Sequence, residues 1–229
     1  MINFINSQKN TFLAITAMVV GVIFIDIHGL IVKYLGGEYS TIQLALFRNT
    51  FAIIPLILLL IYNKESSDLF KNLSKKFILF CFVRGSCFLA INILYYIAIN
   101  NMEFATASTL TFSSTFFIVI LSIFFLGDKV GIYRWSAVII GFIGVVMIMR
   151  PNSSIFSYYS ILPILVAFLW AVQVIVLKFI PDNFSTGKIQ FYSLFSSFLG
   201  SLVFIFFTTG HTYIQTQSDF FILSLIGIF

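Results

Sequence analysis

The sequence predicts an all-α, polytopic transmembrane helical bundle, arranged as two inverted five-helix repeats with the second repeat incomplete in this chain. Three observations predict it. Of 229 residues, 60% are hydrophobic and only 9% charged, where a soluble domain carries about 25%. The apolar residues fall in long runs, and a run of about 18 or more reads as a membrane-crossing helix. Finally, residues 31–43 match 176–188 without a gap at a spacing of 145.

Taken in order, the apolar runs between polar breaks predict spans at 12–32, 42–62, 77–99, 104–126, 132–149, 155–179 and 188–207, with an eighth beginning at Phe220. Each complete run is long enough for a hydrocarbon core of about 30 Å. The first follows a polar start ending in Lys9 and Asn10, yet it is too long for a signal-peptide core, carries Asp26 and His28, and lacks a small-residue cleavage site. It is read as a retained span. No linker is long enough to hold a soluble domain. Pro55 and Pro163 are expected to bend their helices. The 30 Phe residues reflect composition, and Tyr62, Trp135, Tyr158 and Tyr159 sit near span ends as aromatic belts do.

The formal charge of +5 is not clustered as a nucleic-acid surface would require; the basic residues fall between apolar runs. With the amino terminus cytoplasmic, that side holds Lys9, Lys64, Lys71, Lys75, Lys76, Lys129, Arg134, Lys178 and Lys188, and the other side only Lys33 and Arg150. The bias fits the positive-inside rule. Cys81 and Cys87 lie six positions apart in one run, on different helix faces, which argues against a disulfide or a metal pair. Phosphate-loop, zinc-protease and serine-hydrolase motifs are absent from the sequence, so direct ATP drive is not expected, nor is any cofactor or metal.

In the internal match Lys33 meets Lys178, Ser40-Thr41 meets Ser185-Thr186, and Tyr34, Tyr39 and Phe47 meet Phe179, Phe184 and Tyr192. Both copies read as helix end, polar turn, helix start. Five spans separate them, an odd number, so the second enters from the opposite face. Inverted repeats typify secondary transporters, with the substrate between the repeats near the midplane. The spacing also predicts that a whole second repeat would run to about residue 294.

A group of residues resembles the drug/metabolite transporter superfamily, specifically its EamA-type carriers. The resemblance rests on Asp26 followed by Lys33-Tyr34-Leu35-Gly36, Gln43 with Phe47-Arg48, and Arg84-Gly85. It continues through Ala105-Thr106-Ala107, Leu126-Gly127-Asp128, Gly141-Phe142-Ile143-Gly144-Val145 and Arg150-Pro151. It implies a first EamA-type repeat at 1–151 and a partial second at 152–229, in a family of ten-helix proteins. Two residues depart from the family pattern: Asp128 stands where Glu is usual, and Thr115 where the fourth span usually has Pro, so no proline is present to kink that helix. The resemblance implies carriers of amino acids, nucleotide-like metabolites or S-adenosylmethionine.

Charges inside the bilayer are the strongest functional pointers, since each costs roughly 2.5 to 3.5 kcal/mol at a helix centre. Asp26, Arg48 and Arg84 qualify. Asp26 and Arg48 each lie about 9 Å below the outer surface at 1.5 Å per residue, and an Asp26–Arg48 charge pair is expected, either perturbed during transport or fixing two helices. Arg84 either snorkels to headgroups or meets an anionic substrate group from inside. His28 offers proton coupling or a helix-to-helix hydrogen bond. At mid-depth Asn92, Tyr95, Ser108, Thr111 and Thr115 offer polar groups, and Trp170 with Gln173, three apart on one face, offer stacking and hydrogen bonding to a polar metabolite. The stripes Ser108, Thr111, Thr115, Ser122 and Ser193, Ser196, Ser197, Gly200, Ser201 read as packing faces.

The sequence therefore predicts a bacterial inner-membrane secondary carrier, amino terminus cytoplasmic, moving a small polar metabolite by alternating access and not acting as an enzyme. A homodimer or a complementing chain is the protein partner to look for. The competing readings are a truncated or split carrier inactive alone, and a membrane-embedded transferase, for which Glu65, Asp68, Asp128 and Asp182 are too scattered.

Overall fold

The computed structural model describes residues 2–71, 73–129, 131–149, 158–181, 183–208 and 217–228. Arg150, Pro151, Asp182 and the predicted start of the sixth span at 155–157 lie outside them. The helices are α1 (Ile2–Leu35), α2 (Thr41–Tyr62), α3 (Lys75–Asn101), α4 (Phe104–Thr111), α5 (Ser114–Leu126), α6 (Ile132–Met149), α7 (Ile161–Lys178), α8 (Thr186–Thr208) and α9 (Gln217–Ile228), with single 3-10 turns at Ser66–Asp68 and Tyr158–Ser160. Among the described residues six stretches are long and apolar enough to cross a membrane: Ile15–Leu35, Thr41–Tyr62, Lys75–Asn101, Phe104–Leu126, Tyr158–Lys178 and Thr186–Thr208; Trp135–Met147, within the predicted fifth span, is a shorter apolar stretch. The chain is an all-α, multi-pass integral membrane protein.

The fourth predicted span is two helices, α4 and α5, interrupted at Phe112 and Ser113. No proline is involved. The hydroxyls of Thr109, Thr111 and Ser113 donate to the carbonyls of Ala105, Ser108 and Leu110 at 2.7, 2.6 and 2.7 Å. Competition of this kind for helix carbonyls bends helices, and the backbone at the break turns to i→i−3 bonds, Phe112 N–H to Thr109 and Ser113 N–H to Leu110, both 3.2 Å. Gly127 then closes α5 in the left-handed region, φ 68°, where a Cβ would be strained. One of the two prolines also differs from expectation. Pro55 lies inside α2, but Pro163 is the third residue of α7, which opens at Ser160; first-turn amides have no intrahelical partner, so Pro163 breaks no bond and gives no reason for a bend.

Helix α3 is the hub. Its buried residues Phe77, Cys81, Gly85, Leu89, Asn92, Tyr96 and Ile99 recur every three or four positions, one face of a helix. It packs against α7 and α8, while α2 packs against α8 and α9, and α5 against α7. Lipid is as apolar as leucine, so association in the membrane depends on close packing and interhelical bonds. Small residues supply the approach: a Cβ on Gly85 would collide with the Ser193 carbonyl and the Ser196 side chain, and one on Gly36 with the Asn100 side chain.

The two matched turns close alike. Ser40 Oγ accepts the N–H of Gln43 at 3.3 Å and Ser185 Oγ that of Lys188 at 3.2 Å, each an N-cap bond to the third helical residue. Beside them, Tyr39 donates to Asp219 at the start of α9, 2.9 Å, and Phe184 stacks on Phe77 at the start of α3, ring centroids 4.1 Å apart. At that second end Lys188, buried, donates to the carbonyls of Asp68 (3.0 Å) and Lys71, and Tyr192 to that of Leu69 at 3.2 Å. These bonds fasten the 63–74 connection to α8. The exposed pair Asp68–Lys71, 2.8 Å, holds the Asp68 carboxyl below the usual carboxylate range.

Candidate substrate site

Arg84, Phe88, Asn92 and Tyr96 stand at four-residue intervals on α3, so they form one stripe along it. Arg48 of α2 meets the stripe at Phe88, its guanidinium carbon 4.6 Å from the ring centroid, a cation–π arrangement. His28 of α1 meets it at Tyr96: His28 Nε2 and Tyr96 Oη share a hydrogen bond of 3.0 Å. His28 is 7% exposed and Tyr96 is fully enclosed. The Arg48 charge bears on both groups.

Two donors in this neighbourhood have no hydrogen-bond partner among the described residues although both are enclosed, Arg48 Nη1 and Asn92 Nδ2; Asn92 is only 5% exposed. Buried polar atoms are nearly always hydrogen-bonded, and an unmade bond costs about 1 to 3 kcal/mol, more for a charged group. The pairing on which the depth argument relied is absent. Among the described residues the ion pair is Lys71–Asp68; Asp26 faces outward and forms none with Arg48. The cause is azimuth: two residues on a helix are separated by about 200°, so with His28 turned inward Asp26 must turn away. Its charge bears instead on Tyr95, whose hydroxyl shares a 3.0 Å bond with Ser108 Oγ.

The remaining sequence candidates are spread around the hub. Arg84 is partly buried, with its Nε enclosed and without a hydrogen-bond partner among the described residues. Gln173 of α7 donates to the Arg84 carbonyl at 3.1 Å, which fastens α7 to α3. Trp170 stays 44% exposed on the same turn of α7 as the buried Val166, Ala167 and Ala171. Thr111 spends its hydroxyl on the Ser108 carbonyl, within the helix break. Ser122 likewise bonds the Val119 carbonyl at 2.9 Å.

Sequence reasoning missed Tyr96, Asn49 and Lys188. Asn49 is completely buried and donates to Ser197 Oγ across α2 and α8 at 2.9 Å, its Oδ1 left without a partner. An amide beside Arg48 in an apolar run was the available signal. Tyr96 carried none, being one aromatic among many.

The fold defines a multi-pass membrane protein, with enclosed polar groups of α2 and α3 in its interior. The chain belongs to the EamA-like transporter family, which it matches over residues 12–150. It is 26% identical over 161 residues to an S-adenosylmethionine uptake transporter of Rickettsia bellii, covering 70% of this chain and 54% of that protein. It is 38% identical over 66 residues to a riboflavin transporter of Rhizobium johnstonii, 29% of this chain and 22% of that protein. It is 26% identical over 165 residues to a pseudopaline exporter of Pseudomonas aeruginosa, 72% and 56% respectively. The chain thus spans about half the length of two of these relatives and less of the riboflavin transporter.

Proposed function

We propose that this protein is a secondary carrier that moves a small, carboxylate-bearing metabolite across the bacterial inner membrane by alternating access, with S-adenosylmethionine or a compound sharing its amino-acid head as substrate. The observation that carries the reading is the pair of enclosed donors without a hydrogen-bond partner among the described residues, Arg48 Nη1 and Asn92 Nδ2. A guanidinium pairs best with a carboxylate or phosphate, and such charge-assisted bonds are roughly twice as strong as neutral ones. The transporter family and the names of its relatives support transport over membrane-bound catalysis.

Two inverted repeats, 1–151 and 152–229, remain part of this reading. Shifting by 145 residues turns α1, α2 and the start of α3 into α7, α8 and α9. The packing of α3 on α8 then corresponds to that of α9 on α2, and α3 on α7 to α9 on α1, each of which occurs. Such pseudo-symmetric packing is what rocking-type alternating access uses.

The test is uptake into sealed proteoliposomes. Saturable accumulation of labelled S-adenosylmethionine is expected, with decarboxylated S-adenosylmethionine competing at least about tenfold less well, the equivalent of losing a charge-assisted hydrogen bond of about 1.5 kcal/mol or more. Equal competition by the two compounds would remove the carboxylate from the account. The second reading, riboflavin, draws on the locally higher identity of that transporter and would be favoured by riboflavin uptake unaffected by Arg48→Gln. Turnover of a lipid substrate in detergent, without a sealed membrane, would point to an enzyme.

A further inference from the structure

A groove of about 800 Å³ runs along the outer side of the α3–α8 crossing, away from Arg48 and Asn92. Its walls include Ile78, Phe82 and Ile93 of α3 with Phe195, Leu199 and Phe204 of α8. Its lining is mostly apolar; of its hydroxyls, Ser196 Oγ donates to the Phe82 carbonyl at 3.4 Å and Tyr192 Oη to that of Leu69. From Ile78 to Leu94 on α3 it extends about 24 Å at 1.5 Å per residue, more than the depth of one leaflet, about half of a 30 Å hydrocarbon core. A groove of this composition offers nothing to a polar substrate and lies within the membrane span Lys75–Asn101.

One end of the groove is charged. Lys75 stands three residues before Ile78 and seven before Phe82, so it continues the groove's stripe on α3. It is exposed and makes no ion pair with the described residues. Lys71 and Lys76 lie beside it in sequence, Lys71 held by Asp68 and Lys76 over the Phe80 ring, 5.9 Å from its centroid. This is also the end that the distribution of basic residues assigns to the cytoplasm, the leaflet richer in anionic lipid.

We propose that the α3–α8 groove is a binding site for an anionic phospholipid, with an acyl chain lying along the groove and the headgroup phosphate at Lys75. Length, apolar lining and an exposed cation at one mouth match the three parts of such a lipid. A lysine near a membrane surface contributes about 1 kcal/mol toward an anionic lipid, which converts to about a fivefold preference.

The experiment is native mass spectrometry of the purified protein titrated separately with phosphatidylglycerol and phosphatidylcholine of the same acyl chains. One tightly retained phosphatidylglycerol is expected, held at least about fivefold more tightly than phosphatidylcholine. Lys75→Gln, at an exposed position, should erase that preference while leaving phosphatidylcholine binding in place, and Ser86→Trp, which fills the groove, should weaken both lipids. Equal binding of the two lipids by the parent protein would overturn the proposal. So would unchanged retention in Ser86→Trp, or a dimer in the parent that Ser86→Trp dissociates, which would make the groove an interface between two copies.

Discussion

At the scale of single residues, the site depends on which way each side chain faces. Arg48, Arg84 and Asn92 were legible in the sequence because polar groups in an apolar run are expensive and therefore conspicuous. Their partners were not legible, because depth along a helix fixes height and leaves azimuth open. Asp26 and Arg48 share a depth, yet His28 takes the inward position on α1 and bonds Tyr96. Tyr96→Phe leaves His28 enclosed without that bond. Interhelical bonds in membranes are worth about 0.6 kcal/mol on average and up to about 1.7, so a small drop in Tm is expected, read by thermal unfolding in detergent. His28→Phe combined with Tyr96→Phe should lose no more than either single variant, since both remove the same bond; additive losses would mean that the two side chains act separately.

At the scale of elements, apolar run length set the spans, and the helices follow it closely from α2 to α6. The break in the fourth span was invisible to a search for proline, because it contains none and instead has three hydroxyls at alternate positions bonded to helix carbonyls. Replacing Thr109 and Thr111 with Val and Ser113 with Ala removes the competition for the carbonyls of Ala105, Ser108 and Leu110. Continuous i→i−4 bonding through Phe112 and Ser113 is then expected, and amide exchange at 112–116 should slow by about tenfold or more, the equivalent of about 1.4 kcal/mol per opening. Exchange unchanged from the parent would assign the break to tertiary packing. Pro163 is the converse case: a proline is visible in the sequence, but its position in the first turn of α7 removes its consequence.

At the scale of the molecule, hydropathy marks which runs are long enough to cross and says nothing about which ones touch. The internal match pointed to paired turns, and their like caps at Ser40 and Ser185 agree with it, but the central place of α3 between α7 and α8 emerges only in three dimensions. Small residues at Gly85, Ser193 and Ser196 set the α3–α8 contact, and in apolar sequence they carry no label of their partner. Residues 1–151 expressed alone would expose the α3 face that α7 and α8 cover. That piece should aggregate on size exclusion, and co-expression with 152–229 should restore a single species; a monodisperse, cooperatively melting 1–151 would show that the first half folds by itself. The central claim is that Arg48, beside Asn92 on the α3 stripe, receives the substrate carboxylate. Binding of S-adenosylmethionine and of its decarboxylated form to the purified protein and to Arg48→Gln measures that contact directly. The account predicts a preference for the acid of about tenfold or more in the parent and none in Arg48→Gln, with equal Tm values for the two proteins to within a few degrees. A preference that survives the substitution would place the carboxylate elsewhere and contradict the account.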